Sequence, residues 1–512
     1  MKTYTVIPSL SRGGSGWGWV NSPNNIPMKL LYSLLLAFFC LIGNARAAAL
    51  PPAVRDALNQ AHIPLDSVGL EVREVNARKP LLSINAAQAM NPASTMKLLT
   101  TYAALDILGP AYTWKTEAYL DGELKDSVLQ GNLILKGYGD PKFTIEQFWL
   151  WLSELRARGL REIRGDLVLD RSFFDLPAHD PAAFDNDPVR AYNVGPDALL
   201  LNFNTLRLRY LPDGNTLKII SEPPLEGIKL DNQFTPQTAS HPSKGDCDKW
   251  DDAIRVQPDG DSVILQGGYP SECGEREQNL SVMPHTRYVE AVFRALWQEL
   301  GGTLRGKLRE EAVSSNAHLF ATHLSDPLST VIRDINKFSN NVMARQLFLT
   351  LGAPISTPSP LAGEGWGEGA QKTSANLVRS IHAVHDWLQK QRLDFPELVL
   401  ENGAGLSRTE RISPHSMALL LQSAANHPLS AELQASLPIL GVDGSVKKRL
   451  KESAAANHAH LKTGTLEGVK TIAGYVRSQD GKEWIVVFFI NHANAKYGQA
   501  AQDALVEWVQ GR

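Results

Sequence analysis

The sequence predicts an α/β (α+β) fold in which a sheet joins both ends of the chain and a β-rich insert interrupts the middle. Three observations carry this reading. Strand-like segments lie near both ends, at Val68 to Val75 and Lys79 to Ile84, and again at Lys470 to Arg477 and Trp484 to Asn491. Helical periodicity fills Ser94 to Leu108 and returns from about Pro327 to beyond Met417. From about Thr113 to Leu324, short strand-like segments alternate with turn-rich polar stretches.

The 512 residues are 43% hydrophobic and 21% charged, an ordinary globular composition on a chain too long for one small core. Net charge is −3 and no basic run interleaves with aromatics, which argues against a nucleic-acid partner.

The N-terminus is more specific. From Met28 the chain reads Lys29, the apolar run Leu30 to Ile42, and then Ala45-Arg46-Ala47-Ala48. A charged start, a short apolar core and an A-x-A site make residues 28–47 a signal peptide, with a retained N-terminal anchor as the alternative. Cys40 lacks small residues before it, which argues against a lipidated cysteine. No later segment approaches ~20 apolar residues, so the mature chain is expected to carry no transmembrane segment.

Residues 1–27 precede this complete signal and read as a non-native extension. They hold Pro8-Ser9-Leu10 and Gly14-Ser15-Gly16-Trp17-Gly18, a pattern repeated at Pro358-Ser359-Pro360-Leu361 and Gly363-Glu364-Gly365-Trp366-Gly367. Neither copy has core-forming periodicity, and the second, over 356–370, reads as an inserted disordered loop.

Taken in order, Val54 to Gln60 reads as a short helix, and the first two strands pair around the turn Asn76-Ala77-Arg78. Pro92 precedes the helix from Ser94 to Leu108, which Gly109-Pro110 stops. Gly131 to Leu135 and Leu206 to Leu211 are strands of the insert, and Tyr497 to Val509 is a closing helix. The expected organisation is a discontinuous domain over 48–112 and 325–512, with one or two β-rich modules over 113–324.

After signal cleavage only Cys247 and Cys273 remain, and export points to one disulfide between them, worth ~3 kcal/mol by loop entropy. Two buried free thiols are the other reading. No Cys/His cluster has metal-ligand spacing, so neither a metal nor another cofactor is expected.

Three short motifs stand in a specific order. Ser94-Thr95-Met96-Lys97 opens a helix, Ser339-Asn340-Asn341 follows far downstream, and Lys462-Thr463-Gly464-Thr465 begins a predicted strand later still. The first two are weak alone. Another S-x-x-K runs from Ser445 to Lys448, and S-x-N recurs at Ser22, Ser83, Ser314 and Ser374. K-T-G occurs once, and the Ser445 copy has no S-x-N between it and K-T-G. Taken alone, Ser94 could be a helix cap and Lys97 a solvated face, but neither role explains the other two motifs.

The chemistry asks for these residue types. A serine hydroxyl is a weak nucleophile until a nearby base takes its proton. Spacing of three along a helix puts Lys97 on the face of Ser94. Lys97 can serve as the base only if its pKa falls, through burial or a neighbouring cation such as Lys462. Lys462 would also offer a positive charge to a substrate carboxylate. Ser339 would relay a proton to the leaving amine, and Asn341 would orient Lys97 or a substrate amide. Backbone N–H groups of Ser94 and Thr465 would form an oxyanion hole.

The trio S-x-x-K, S-x-N and K-T-G resembles the signature of penicillin-binding proteins and serine β-lactamases. The long first gap resembles the class C low-molecular-mass group, the D-Ala-D-Ala carboxypeptidase/endopeptidases of the penicillin-binding protein 4 type. Gly137-Tyr138-Gly139-Asp140-Pro141, Asn402-Gly403-Ala404-Gly405-Leu406-Ser407-Arg408, Leu440-Gly441-Val442-Asp443-Gly444 and Lys462 to Gly468 agree with that group.

The resemblance implies an antiparallel sheet flanked by helices, with inserted domains after the Ser94 helix. It implies hydrolysis through a Ser94 acyl-enzyme, with D-alanyl-D-alanine stem peptides or D,D-cross-links of peptidoglycan as substrates. β-Lactams would be inhibitors, and the periplasm the compartment. It also implies an acid on the insert that receives the stem peptide's free amine, for which Asp187, in Phe184-Asp185-Asn186-Asp187, is the best match. A solvated loop acid is the equal alternative there. The Gly/Trp-rich loop departs from the group and would restrict large substrates if it packed near the cleft.

Two rival functions remain open in the sequence. A class C-like β-lactamase carries a Tyr where this chain has Ser339 and lacks the large insert. A non-catalytic peptidoglycan-binding envelope protein has no need of three intact polar motifs.

Overall fold

The computed structural model describes residues 50–214, 216–237, 246–354 and 374–512. The expectations for 1–27, for the signal peptide at 28–47 and for the loop at 356–370 lie outside the described residues. No helix among the described residues is long and apolar enough to cross a membrane.

Helix α1 (Pro52–Gln60) leads into strands β1 (Val68–Glu74) and β2 (Leu82–Ile84). The other end of the chain supplies β3 (Ala459–Leu466), β4 (Val469–Arg477) and β5 (Glu483–Asn491). They form one antiparallel sheet in the order β3-β4-β5-β1-β2, so β5 from near the C-terminus lies against β1 from near the N-terminus.

Burial on both faces explains the apolar run of β5. Side chains alternate across a strand. Ile485, Val487 and Phe489 enter one core with Leu99, Tyr102, Ile332, Leu347 and Met417, from helices described next. Val486, Phe488 and Ile490 enter the other, with Val54 and Leu58 of α1 and Leu505 and Val509 near the C-terminus.

The first layer consists of α2 (Lys97–Leu108), α3 (Leu328–Phe338), α4 (Asn341–Leu351) and α5 (Pro414–Ala425). The second consists of α1 and α6 (Gln499–Gln510). Every residue of α2 from Lys97 to Leu105 is buried, as suits a helix covered on all sides.

The stretch 113–324 carries a seven-stranded mixed sheet and two three-stranded sheets. It also holds two helices that its β texture concealed, Ile145–Ala157 and His285–Glu299. These share a core with the larger sheet through Phe148, Trp151, Leu155, Phe293 and Trp297. The smaller sheets close on Leu208, Tyr210, Leu265 and Tyr269. Beside them Cys247 and Cys273 form a disulfide with Cα atoms 5.4 Å apart.

Side-chain hydrogen bonds tie this stretch to α4. The Asp197 N–H donates to Gln346 Oε1 at 2.9 Å, and Gln346 Nε2 donates to Asp197 O at 2.7 Å. Arg345 Nη1 donates to Val194 O at 2.8 Å.

Candidate active site

The approach to Ser94 is fixed by Asn91. Its backbone N–H donates to Asn491 Oδ1 at 2.7 Å, its Nδ2 donates to Ser407 O at 2.9 Å, and its Oδ1 accepts the Ala93 N–H at 2.9 Å. This network holds Ala93 at φ 45°, a left-handed conformation that costs a non-glycine residue ~1 kcal/mol or more. A 3₁₀ turn, Ala93–Met96, then runs directly into α2. Ser94 is half-buried at its start, and Lys97 one turn on is fully buried.

Lys97 Nζ donates to Ser94 Oγ at 3.1 Å and to Asn341 Oδ1 at 2.6 Å, and also bonds Ala404 O. The second and third partners come from α4 and from the turn before α5. Ser339 ends α3 in the left-handed region at φ 56°, and Asn340 then caps α4 by accepting the Met343 N–H at 3.0 Å. That reversal puts Ser339 and Asn341 on one side of the helix pair.

Lys462 lies inside β3, three residues beyond its start rather than opening the strand as the sequence predicted. It is fully buried, and Nζ donates to Ser339 Oγ and Thr463 O, both at 2.8 Å. Because β3 is the sheet's edge, its free side faces the Ser94 turn. A Cβ on Gly464 would stand 2.8 Å from both Ser94 N and Ala93 Cβ, so the strand approaches this closely only with glycine there. Thr463 Oγ1 is hydrogen-bonded to Ser445 Oγ at 2.8 Å, which places the second S-x-x-K serine beside the strand. Thr465 is exposed next to the turn.

Burial is the main electrostatic influence on both lysines. It holds the Lys97 ammonium well below its usual range; Lys462, and more weakly Arg345, push the same way, while Glu410 opposes them. Burial brings Lys462 down to about 7. A serine hydroxyl within hydrogen-bond reach of an amine that holds its proton loosely is the pairing that makes a serine nucleophilic.

Asp187 is half-buried and paired with Arg190 Nε at 2.7 Å. Asp185 is the better-held acid of the two, accepting from Tyr192 Oη and Asn193 Nδ2, each at 2.7 Å. The loop meets the K-T-G hairpin through Arg408. Its guanidinium lies 4.6 Å from the Phe184 ring centroid and bonds Glu467 O at 3.4 Å. On the other flank, Ser339 and Asn341 border a cavity of about 650 Å³ also lined by Tyr192, Phe203 and Arg207. Among the described residues no His, Cys, Asp or Glu cluster could hold a metal ion.

Sequence reasoning missed Ala404, Glu410 and Asn91. Ala404 acts through a backbone carbonyl, which no residue type advertises. The available signal was Asn402-Gly403-Ala404-Gly405, whose two glycines take φ values of 67° and 77°. Glu410 and Asn91 are buried polar residues, visible as such only once burial is known.

An edge strand bearing a buried lysine, packed against a serine whose own lysine is shared with an S-x-N turn, defines a serine acyl-transfer enzyme of the penicillin-binding class. The model of the D-Ala-D-Ala carboxypeptidase 3 (S13) family matches residues 50–511. The chain belongs to that family and is a serine-type D-Ala-D-Ala carboxypeptidase.

It is 27% identical over 429 residues to D-alanyl-D-alanine carboxypeptidase DacB of Haemophilus influenzae, covering 83% of this chain and 85% of the relative. It is 26% identical over 458 residues to a D-alanyl-D-alanine carboxypeptidase of Actinomadura sp. strain R39, covering 85% and 80%. The crystal structure of penicillin binding protein 4 (dacB) from Haemophilus influenzae superposes with a TM-score of 0.71 at 24% identity, over 89% of this chain and 99% of that one. That likeness shows the shared fold.

Proposed function

We propose that this chain cleaves the terminal D-Ala-D-Ala bond of peptidoglycan stem peptides in the periplasm through an acyl-enzyme on Ser94. Lys97 takes the Ser94 proton as Oγ attacks the carbonyl of the penultimate D-alanine. The Ser94 and Thr465 N–H groups receive the developing oxyanion. Ser339 passes a proton to the leaving amine, and the C–N bond breaks to release D-alanine. Asn341 orients Lys97, and Lys462 with Thr463 and Gly464 faces the substrate's terminal carboxylate. Water then attacks the ester and frees Ser94. β-Lactams enter the same path and stop at a slowly hydrolysed ester.

The observation that carries this reading is the pairing of the two lysines. Lys97 Nζ is shared between Ser94 Oγ at 3.1 Å and Asn341 Oδ1 at 2.6 Å, while Lys462 Nζ is bound to Ser339 Oγ at 2.8 Å. Each conserves its proton poorly in burial, and each has a hydroxyl to exchange it with.

The catalytic domain in this proposal comprises 48–112 and 325–512, and 113–324 is inserted. D,D-cross-links are a second substrate, with Asp187 on the insert receiving the free amine of the stem peptide. The signal at 28–47 supplies export.

The test is digestion of purified peptidoglycan with the mature protein, following monomeric pentapeptide and cross-linked dimer separately. Loss of D-alanine from pentapeptide is expected, and loss of dimer tests the cross-link activity. Benzylpenicillin should give a stable one-to-one adduct at Ser94. Rapid multiple turnover of the drug would instead identify a β-lactamase, and binding of peptidoglycan without any cleavage a non-catalytic protein.

A further inference from the structure

We infer that Glu410 is a positioning residue for the Ser94–Lys97 pair: its carboxyl group pins the turn whose carbonyl holds Lys97 Nζ, and it places a buried acid near that amine. The inference rests on the acyl-enzyme reading above.

Glu410 is completely buried. Its Oε1 accepts three successive backbone N–H groups, from Glu401 at 3.1 Å, Asn402 at 2.9 Å and Gly403 at 2.8 Å. Its Oε2 has no hydrogen-bond partner among the described residues. Three donors converging on one oxygen suit an ionised acceptor better than a neutral one. Burial nevertheless pushes the Glu410 carboxyl above its ordinary range, and the three N–H donors oppose that push.

The turn they hold delivers a carbonyl to the reacting pair. The Ala404 N–H donates to Asn402 Oδ1 at 2.9 Å, and Gly403 O accepts from Thr100 Oγ1 of α2 at 2.6 Å. Ala404 O, next in line, is bonded by Lys97 Nζ. Gly405 then passes so close to the nucleophile turn that a Cβ on it would stand 1.8 Å from Ala93 O. A shift in this turn therefore moves both the base and the backbone leading to Ser94.

The charges around Lys97 come from three elements: Lys462 on β3, Arg345 on α4 and Glu410 from the turn before α5. Glu401, Arg345 and Lys97 are the charged groups around Glu410. Glu410 thus offsets two cations that would otherwise drive the Lys97 proton off. Its two effects separate by mutation, because glutamine keeps an acceptor oxygen for the turn and discards the charge.

The experiment measures benzylpenicillin acylation of Ser94 against pH for the wild-type protein and for E410Q, E410D and E410A, with thermal unfolding in parallel. With the charge gone, Lys97 loses its proton at lower pH, so the acid limb of E410Q should move down by about one pH unit. E410D keeps the charge but shortens its reach, so its limb should stay while its rate falls. E410A frees the turn and should acylate at least about ten-fold more slowly at every pH.

A limb for E410Q that stays in place or moves upward overturns the inference. Wild-type rates in E410A do so as well. If E410Q does not fold, an E410D limb that departs from wild type does the same. Failure of the wild-type protein to label at Ser94 would instead overturn the acyl-enzyme reading itself.

Discussion

Lys462 Nζ donates a hydrogen bond to Ser339 Oγ at 2.8 Å, linking the edge strand of the sheet to the left-handed turn between α3 and α4. The bond joins a group lowered to about 7 to a hydroxyl that can carry a proton either way. Its consequences can be measured in stability as well as in turnover.

The sign of the stability effect follows from burial. Unfolded lysine holds its proton up to about 10.4, whereas folded Lys462 releases it above about 7. Between those values the unfolded state binds more protons, so stability rises with pH in that window, by at most about 1.4 kcal/mol per pH unit. K462M removes this dependence. Its stability relative to wild type should be greatest below pH 7 and should shrink toward pH 10 in urea titrations at a series of pH values.

Removing the nucleophile and removing its base should be distinguishable. S94A is expected to give no benzylpenicillin adduct by intact mass. K97M should still label, about 10²- to 10⁴-fold more slowly, because it loses only general-base assistance. Labelling of S94A at wild-type rate would place the nucleophile elsewhere.

Gly405 tests how tightly the nucleophile turn is packed. At φ 77° and with Ala93 O in the path of any Cβ, G405A meets both backbone strain and a backbone clash. A loss of at least about 2 kcal/mol is expected, with slower acylation. The checks are denaturant midpoint and labelling rate on the same sample.

The Cys247–Cys273 disulfide lies beside the two small sheets of the stretch 113–324. The double variant C247S/C273S should lose about 3 kcal/mol by loop entropy and keep its acylation rate once folded. A matching fall in acylation by folded protein would couple that region to the site.

Much of the frame was legible because its signals are local. Trp484 to Asn491 reads as a strand, and burial on both faces explains why it does not alternate. Ser94 and Lys97 share a helical face by spacing alone. The helix Ile145–Ala157 was missed within the β texture, although Thr144 and Gln147 form a capping box visible as Thr-x-x-Gln. Ala404 was out of reach because its contribution is a carbonyl, and its direction depends on two glycines and a carboxylate several residues away.

The position of β5 in the sheet has a consequence for biogenesis. Its partners are β4 and β1, so the sheet acquires its middle strand only once residues 483–491 have been made. Until then α2, with Lys97 at its start and Ser94 in the turn before it, has no completed surface to pack on, and β3 has no supported sheet on which to bring Lys462 to Ser339. Long-range pairing of this kind forms late and slowly. A chain truncated before β5 carries Ser94, Lys97, Ser339 and Lys462 yet lacks the strand that joins β4 to β1.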